Sequence, residues 1–465
     1  MKSIFRKKSI EEVIATAKHK SLKKTMGAMD LVLLGIGCTI GTGIFVLTGI
    51  AAAQHAGPAI SISYLLAGLA CVFAGLAYTE LAAMVPVAGS AYTYSYAAIG
   101  EFVAWLVACG LILEYTVGAS TVAAGWSGYF VGILKTGGIT LPDSLTKVPS
   151  DGGIINLPAV CIAFFVGCLL VRGTKESVIV NRILVGVKLV IIFLFMIVAA
   201  PHIKMVNYAE FMPFGWHGVV VGAATIFFAY IGFDAVATAA EETKNPNRDL
   251  PIGIIGSLLI CTFLYIVVAL ALTGITHYSE LNNAEPMAYA LRQNGSNIGS
   301  ALIGTGALAG MVAVLLVLMY GQSRVCFVMS RDGLIPSRFS DLHKKFETPY
   351  ISCIFVTVAV MLISGFTPIQ TMGHMTSLGT LFAFVVVAIG VLILRVKKPE
   401  LHRPFRCPAV HITAPIAILS CGYLIYTLLF ETGKIFLIWI VLSVIVYFLY
   451  SYRKSPLGKV AAKKS

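Results

Sequence analysis

Apolar runs of about 20 residues or more recur along almost the whole chain, separated by short segments with proline, glycine and charge. A helix of about 20 residues crosses the hydrocarbon core of a bilayer, because each residue adds about 1.5 Å. Hydrophobic residues make up 58% of the chain and charged residues 12%, whereas soluble proteins carry about a quarter charged residues. The pattern predicts an all-α polytopic membrane protein with no room for a sizeable soluble domain.

Twelve transmembrane helices are predicted from these runs. They lie at residues 29–53, 59–84, 100–134, 154–171, 178–200, 218–240, 252–275, 299–329, 351–366, 375–394, 412–430 and 435–452. The third and the eighth are longer than a bilayer requires, so we expect them to tilt or to protrude from it.

Lysine and arginine set the orientation of these spans. The chain contains 34 Lys and Arg residues in total, of which Lys188 lies within a span. The others are assigned to one side of the membrane by taking the N-terminus as inside. Those that fall outside are Lys135, Lys147, Lys204, Arg292 and Lys434. The remainder face the cytoplasm, which predicts that both termini are cytoplasmic.

The basic N-terminal segment has no short apolar core followed by a cleavage site, so we expect no cleavable signal peptide. Within this segment, residues 4–24 fit two descriptions equally well. They suit an amphipathic helix that lies on the membrane surface, and they suit an ordinary tail that sets topology.

Composition and motifs disfavour other classes of protein. The net charge of +13 comes from topology signals between apolar runs, so nucleic acid is not a predicted partner. The ten cysteines lack a CxxC pair, and all except Cys407 fall in or beside apolar runs, which predicts buried free thiols. The nine histidines lack metal-ligand spacing, and the sequence has no phosphate-binding loop. We therefore predict no metal, no cofactor, no catalytic residue and no use of ATP.

A cluster of glycines interrupts the first predicted span. It reads Gly35-Ile-Gly37-Cys-Thr-Ile-Gly41-Thr-Gly43-Ile-Phe45. Each glycine lowers helix stability by about 1 kcal/mol relative to alanine, so several close together weaken the helix. Close packing of helices through small residues explains the same spacing. By itself, this segment favours a ligand site and close packing about equally.

The sixth predicted span is interrupted too, five helices further along. Its middle reads Phe227-Phe-Ala-Tyr-Ile-Gly232-Phe-Asp234. Interrupted helices at corresponding places in two halves point to an inverted-repeat transporter. A membrane tolerates unwound backbone where it lines a cavity or meets a ligand. Helix N-termini suit a carboxylate and helix C-termini suit an ammonium, so an amino acid is the predicted substrate.

At these two interruptions the sequence resembles the amino acid-polyamine-organocation superfamily. Together with motifs further along, it resembles the bacterial branch of the cationic amino acid transporter family over essentially the whole chain. The matching segments are Gly35-Ile-Gly37, Ile40-Gly-Thr-Gly-Ile-Phe45, Phe227-Phe-Ala-Tyr-Ile-Gly-Phe-Asp234, Glu241-Glu-Thr-Lys-Asn-Pro246, Asp249-Leu-Pro251, Gly321-Gln-Ser-Arg324 and Met329-Ser-Arg-Asp-Gly-Leu334. Each motif is short, but the combination is specific.

The resemblance implies the leucine-transporter fold, a five-plus-five inverted repeat with broken first and sixth helices and two additional C-terminal helices. Residues 1–28 then form a cytoplasmic basic segment. Residues 29–200 form the first repeat, 201–398 the second, 399–452 the two additional helices and 453–465 a cytoplasmic tail. We expect this multi-pass protein in the cell membrane.

The resemblance also implies a substrate site built from backbone groups at the two interruptions. The substrate carboxylate would meet N–H groups near Gly41, Thr42 and Gly43. The substrate amine would meet carbonyl groups near the residues Thr39, Phe228, Ala229 and Ile231. Among these residues, the Phe228 side chain would gate the site from outside.

Lys188 is a charge inside the fifth predicted span. A charge at mid-bilayer costs about 2.5–3.5 kcal/mol on insertion scales, so its presence needs a reason. The side chain either snorkels to the cytoplasmic surface or acts within the membrane. The resemblance favours the second, since it places Lys188 between the first and eighth spans, where sodium-coupled relatives bind their ion. A lysine that gains and loses a proton there would replace sodium as the coupling group.

Acidic residues in or near the spans also need a reason. Glu114 lies about 21 Å along the third span. There it either helps to relay protons, or holds Tyr115 and the substrate pocket, or bonds a neighbouring helix as a neutral carboxyl. We expect Asp234 to cap the second half of the sixth span rather than to contact substrate. Near span ends, Glu80, Glu241 and Glu242 are predicted to pair with cytoplasmic arginines.

The predicted function is secondary active transport: proton-coupled uptake of amino acids by alternating access. Leu318 and Met319 give the eighth span an apolar wall, which favours small or branched neutral substrates over arginine or lysine. A cationic amino acid transporter or an amino acid exchanger is the alternative. A channel would be expected to carry a ring of polar residues or a symmetric filter loop, and the paired broken helices count against it.

A membrane enzyme is disfavoured because the sequence lacks a constellation of metal ligands or a nucleophile. The expected partners are an amino acid substrate, the proton as coupling ion and membrane lipid. Whether a small membrane protein also binds is left open.

Overall fold

The computed structural model describes residue 6 and residues 25–85, 90–173 and 178–455. Except for residue 6, the segment 4–24 lies outside the described residues, so the predicted surface helix in this segment does too. The tail beyond residue 455 also lies outside them. Within the described ranges the regular structure is helical, and one isolated bridge pairs Met26 with Thr243. The prediction of an all-α protein is confirmed.

We number the α-helices of eight or more residues in chain order. They are α1 (Ala28–Thr39), α2 (Ile60–Met84), α3 (Ser90–Ala98), α4 (Glu101–Thr136), α5 (Leu157–Arg172), α6 (Val178–Ala199), α7 (Gly215–Ile226), α8 (Pro246–Ile275), α9 (Pro286–Gln293), α10 (Asn297–Arg331), α11 (Tyr350–Phe366), α12 (Ile369–Lys397) and α13 (Val410–Val446).

Each predicted span overlaps an apolar helix in the structure. Among the described residues, eight helical stretches are long and apolar enough to cross a membrane, and α1, α5 and α11 are shorter apolar helices. Two of the eight stretches, Gly43–Met84 and Val410–Ser451, are 42 residues long. Each of these two contains parts of two predicted spans. In the first, Gly57 interrupts the helical backbone with φ +60° and ψ −147°.

Helix α13 reverses direction along its length. Just before it, the Cys407 N–H donates to Glu80 near the end of α2, at 2.8 Å. Just after it, the Tyr447 hydroxyl donates to Glu101 at the start of α4, at 3.2 Å. Both carboxylates lie at the end of the bundle where α2 leads through α3 into α4. A straight helix of 37 residues would be about 55 Å long, so α13 bends sharply, and the predicted turn at 431–434 lies near its middle.

The first span is broken where the glycine cluster predicts. Helix α1 ends at Thr39, and Ile40 is extended, with φ −75° and ψ 102°. The chain becomes helical again in a π-helical turn at Gly43–Leu47.

The sixth span is broken as predicted as well. Helix α7 ends at Ile226 and tightens into a 3₁₀ turn at Phe227–Tyr230. Ile231 is extended, and Gly232 has φ +114°, a backbone conformation that residues with a Cβ rarely adopt. A short helical turn, Ala235–Thr238, follows.

The two breaks lie directly against each other. A Cβ added to Gly43 in the first break would stand 2.5 Å from Cβ of Ala229 in the second. A Cβ added to Gly232 would stand 2.9 Å from the carbonyl oxygen of Cys38. These glycines are therefore required for close approach of the two breaks, so close packing and a cavity occur together.

The prediction of buried thiols is wrong for two cysteines. All ten lie in the described ranges and are free, but Cys161 and Cys168 are exposed on α5. Their helix is a peripheral apolar one, and side chains on its outer face have no protein neighbour to cover them.

Candidate functional site

A small cavity, with room for about one water molecule, lies between the two breaks. It is smaller than an amino acid, so substrate binding requires its walls to move apart. It is lined by Cys38, Thr39, Gly41, Thr42, Gly43, Val122, Phe228, Ile231, Val314 and Leu318. Six of the residues predicted for substrate binding are thus brought together. Two others, Ala229 and Met319, are buried but do not line the cavity. On α10 the lining residues are Val314 and Leu318, and Leu318 is next to the predicted Met319.

The side chains around the cavity offer a ligand few free polar groups. The Thr39 hydroxyl donates to the carbonyl oxygen of Gly35 at 2.6 Å. The Thr42 hydroxyl donates to Sδ of Met311 at 3.3 Å. Apart from these two threonines and a cysteine thiol, the lining side chains are apolar. Polar contacts to a ligand would therefore come mainly from the backbone.

The backbone provides such groups at opposite ends of two half-helices. The first N–H groups of a helix have no partner within that helix, and the half-helix that begins at Gly43 presents them to the cavity. Such an end suits a carboxylate. Helix α1 ends at Thr39, and its last carbonyl groups likewise lack partners within the helix. These carbonyl oxygens suit an ammonium.

Tyr265 on α8 joins the two breaks, and sequence reasoning missed it. Its hydroxyl lies 3.0 Å from the carbonyl oxygen of Thr39 and 2.9 Å from that of Ala229. A phenol has one hydrogen to donate, so it satisfies one of these carbonyls fully at a time. The residue is fully buried. In the sequence it is one tyrosine in an apolar run, which does not distinguish it from a core residue.

Lys188 points into the protein, so the snorkelling alternative is wrong. The side chain is 1% exposed, and its Nζ donates to the carbonyl oxygen of Gly37 at 2.5 Å. On its other side lies α10 at Gly310, where an added Cβ would stand 3.2 Å from the lysine chain. Lys188 thus lies between the first broken helix and the helix of the eighth span.

Glu114 on α4 is 1% exposed, and neither of its carboxyl oxygens has a hydrogen-bond partner among the described residues. Thr380 on α12 lies beside it. The Thr380 hydroxyl, however, donates to the carbonyl oxygen of Thr376 at 3.1 Å. Thr380 belongs to a neighbouring helix, so its place beside Glu114 leaves the alternatives for Glu114 as predictions.

Asp234 does not act as the predicted cap. It occupies the N-cap position of the turn Ala235–Thr238 but makes no side-chain capping hydrogen bond. Its Oδ2 instead accepts from the hydroxyl of Tyr115 at 3.1 Å. Glu114 precedes Tyr115 in the chain and lies near its hydroxyl as well. The buried carboxyl groups of Glu114 and Asp234 are therefore both close to Tyr115. This contact between the third and sixth spans has no signature in the sequence.

Glu80 forms the predicted ion pairs away from the cavity. Its carboxylate lies 2.8 Å from the guanidinium of Arg395 and 3.3 Å from that of Arg403. The side chain of Glu241 lies outside the described part of the chain. Glu242 contributes its carbonyl oxygen, which accepts from the N–H groups of residues 25 and 26.

An apolar helical bundle with two broken helices, whose backbone ends converge on one cavity, defines a multi-pass membrane transporter. Residues 26–452 match the family described as amino acid permease. The chain belongs to this family, within the superfamily that its motifs resemble, and it is an amino acid transporter rather than an enzyme.

Two relatives from Bacillus subtilis (strain 168) match almost end to end. The branched-chain amino acid permease BcaP is 46% identical over 98% of this chain and 99% of its own length. The methylthioribose transporter is 45% identical over 99% of this chain and its full length. The chloroplastic cationic amino acid transporter 9 of Arabidopsis thaliana is 40% identical over 84% of this chain and 70% of its own length.

Proposed function

We propose that this permease takes up small or branched neutral amino acids together with protons, by alternating access. The observation that carries the proposal is the apolar cavity where two broken helices meet, with the end of α1 at Thr39 and the start of the next half-helix at Gly43 both in its lining. A free amino acid carries the carboxylate and the ammonium that such an arrangement fits.

The apolar walls support a neutral side chain on the substrate. Val122, Val314, Leu318, Ile231 and Phe228 surround the space beyond the backbone groups. A guanidinium or an ammonium on the substrate side chain would be desolvated there without acceptors, which is costly. A sugar would leave its hydroxyl groups without partners for the same reason. Sequence identity does not separate these cases, because the branched-chain permease and the methylthioribose transporter match about equally well.

The position of Lys188 supports its role in proton coupling. When protonated, its ammonium donates to Gly37 at the end of α1 and holds that half-helix against α6, beside Gly310 of α10. When the proton leaves, the attraction weakens and α1 is free to move away from α6. A proton shifts such an equilibrium only by its difference in affinity for the two states. Glu114, which is buried nearer to Asp234, is the second candidate for the proton path.

The proposal includes the finer topology. We infer twelve transmembrane helices, with residues 29–200 and 201–398 as two inverted five-helix repeats and two further helices at 399–452. The excess of Lys and Arg on one side of the spans supports cytoplasmic termini. We expect the protein in the cell membrane. The reversal of α13 supports counting it as two of the twelve.

Thermal-shift measurements on the purified protein test the substrate class. A ligand that binds the folded protein raises its apparent melting temperature. We expect stabilisation by leucine, isoleucine, valine or alanine, and none by arginine, lysine or methylthioribose. Stabilisation by arginine or lysine alone would replace the neutral assignment with a cationic one, and stabilisation by methylthioribose alone would overturn the amino acid substrate.

Counterflow in proteoliposomes tests the carrier mechanism. Preloading with unlabelled substrate accelerates uptake of labelled substrate in a carrier and does not do so in a channel. Obligatory exchange without net uptake driven by a pH gradient would identify an exchanger.

A further inference from the structure

Two charged side chains of α6 reach across to α1 at different levels. The Lys188 ammonium donates to the carbonyl oxygen of Gly37, and the Arg182 guanidinium pairs with the carboxylate of Asp30. Seven residues separate the two positions on α1 and six separate those on α6, which is about 10 Å and 9 Å along the helices. The matching distances show that both contacts cross the same interface between α1 and α6.

The contact at Asp30 is well defined. Oδ1 of Asp30 accepts from Nε of Arg182 at 2.8 Å and also from Nη2 of the same guanidinium. Oδ2 accepts from the backbone N–H of Gly27 at 3.0 Å, just before α1 begins. The Asp30 side chain is 10% exposed and that of Arg182 is 53% exposed. The pair therefore lies at the edge of the protein, whereas Lys188 is fully enclosed.

Helix α1 is joined to a different group of elements on its other sides. The N–H of Lys244 donates to the carbonyl oxygen of Met26 at 2.9 Å, which ties the start of α1 to the segment after the second break. Gly35 packs so closely on Ser257 of α8 that an added Cβ would stand 2.6 Å from Ser257 Cβ. If α1 moves with α8 and the second break, its interface with α6 is the one that must open.

We propose that Asp30 and Arg182 form a second latch, which keeps α1 against α6. It closes the cavity towards the side of the membrane at which α1 begins, the side of Asp30. The inference rests on the alternating-access function proposed above. Arginine keeps its charge at every physiological pH, and an aspartate with an ordinary pKa of about 3.9 is ionised there too. This latch therefore does not respond to the coupling proton. The Lys188 contact would supply the proton-dependent part of closure, and the Asp30–Arg182 latch would set how readily α1 leaves once that proton has gone.

Cys38 provides a native reporter for opening of this interface. It lines the cavity near the end of α1 and is 5% exposed. Its alkylation by a membrane-impermeant maleimide, added from the side of the Asp30 end, measures how often α1 moves away. Labelling is quantified on the peptide that contains Cys38, with Cys38→Ala as the blank, because nine other cysteines are present.

Arg182→Gln is the main variant, because it leaves the bond between Asp30 and Gly27 intact and Lys244 still lies near the Asp30 carboxylate. We expect its Cys38 labelling rate to rise by up to about fivefold, the range for a partly exposed ion pair. Arg182→Lys keeps the charge and should stay near the wild-type rate. Lys147→Gln removes an exposed ion pair with Asp143 far from α1 and should change nothing.

An unchanged labelling rate in Arg182→Gln would overturn the latch, as would an equal rise in Arg182→Lys. A rise for maleimide added from the opposite side would also overturn it, because the latch closes one side only. Uptake of leucine by the wild type is measured in parallel. A wild type without uptake refutes the proposed function, whereas functional uptake with unchanged Cys38 labelling refutes the latch alone.

Discussion

The ammonium nitrogen of Lys188 lies 2.5 Å from the carbonyl oxygen of Gly37, in the last turn of α1. The last carbonyl groups of a helix have no partner within it, so the break after Thr39 creates the acceptor that this buried cation needs. The proposed coupling group and the proposed substrate site therefore use the same interruption of the chain. Movement of α1 would alter both at once.

Replacement of Gly43 by alanine should weaken substrate binding. The new Cβ would stand 2.5 Å from Cβ of Ala229, so the two breaks must separate to fit it. Overpacking of this kind costs about 1–3 kcal/mol, or about 5- to 150-fold in a binding constant. Binding is measured by thermal shift with leucine. Gly422→Ala is the matched control, because nothing lies within 4 Å of its added Cβ. Equal affinity in a folded Gly43→Ala protein would remove this contact from the site.

Tyr265→Phe should lower substrate affinity, since it removes the hydroxyl that joins Thr39 and Ala229 across the two breaks. A buried carbonyl left without a donor costs about 1–3 kcal/mol. The effect is read from the concentration dependence of leucine uptake. Tyr208→Phe removes a comparable bond, to the carbonyl oxygen of Leu270 at the other side of α8, and should leave uptake affinity unchanged. If both variants lower affinity alike, the effect is general destabilisation and the role of Tyr265 is refuted.

Glu114→Gln keeps the shape of the side chain and removes its titration. Neither carboxyl oxygen of Glu114 has a partner among the described residues, so the substitution breaks no hydrogen bond seen there. We expect leucine binding to survive and the pH dependence of uptake to change. Uptake rates across a series of pH values provide the measurement, with the exposed Glu280→Gln as control. A pH profile identical to that of the wild type would restrict Glu114 to a structural role.

The broken helices were predictable because a membrane makes backbone interruptions rare. The glycine cluster around Gly41 and the single Gly232 before Asp234 stand out only against long apolar runs, and the spacing of five helices relates them. The cost of a charge in lipid showed that Lys188 needs a reason, but it left snorkelling open, and only the family resemblance favoured a position inside the protein.

Contacts between distant segments were not predictable from the sequence. The hydroxyl of Tyr265 acts through two backbone carbonyls, and carbonyl groups have no residue-specific signature. The bond between Tyr115 and Asp234 joins residues 119 positions apart, so no local pattern encodes it. The prediction that Asp234 caps the second half of the sixth span was wrong for this reason. Local capping rules identified the correct N-cap position, but the side chain accepts a hydrogen bond from the distant Tyr115 instead.

The most direct test of the account is uphill uptake by Lys188→Met in proteoliposomes with an imposed pH gradient. Methionine keeps much of the volume of lysine and removes its charge and its bond to Gly37. We predict that the wild type accumulates leucine against its gradient, and that Lys188→Met retains counterflow of leucine but loses accumulation. Full gradient-driven accumulation by Lys188→Met would contradict the account and move proton coupling to Glu114 or another group.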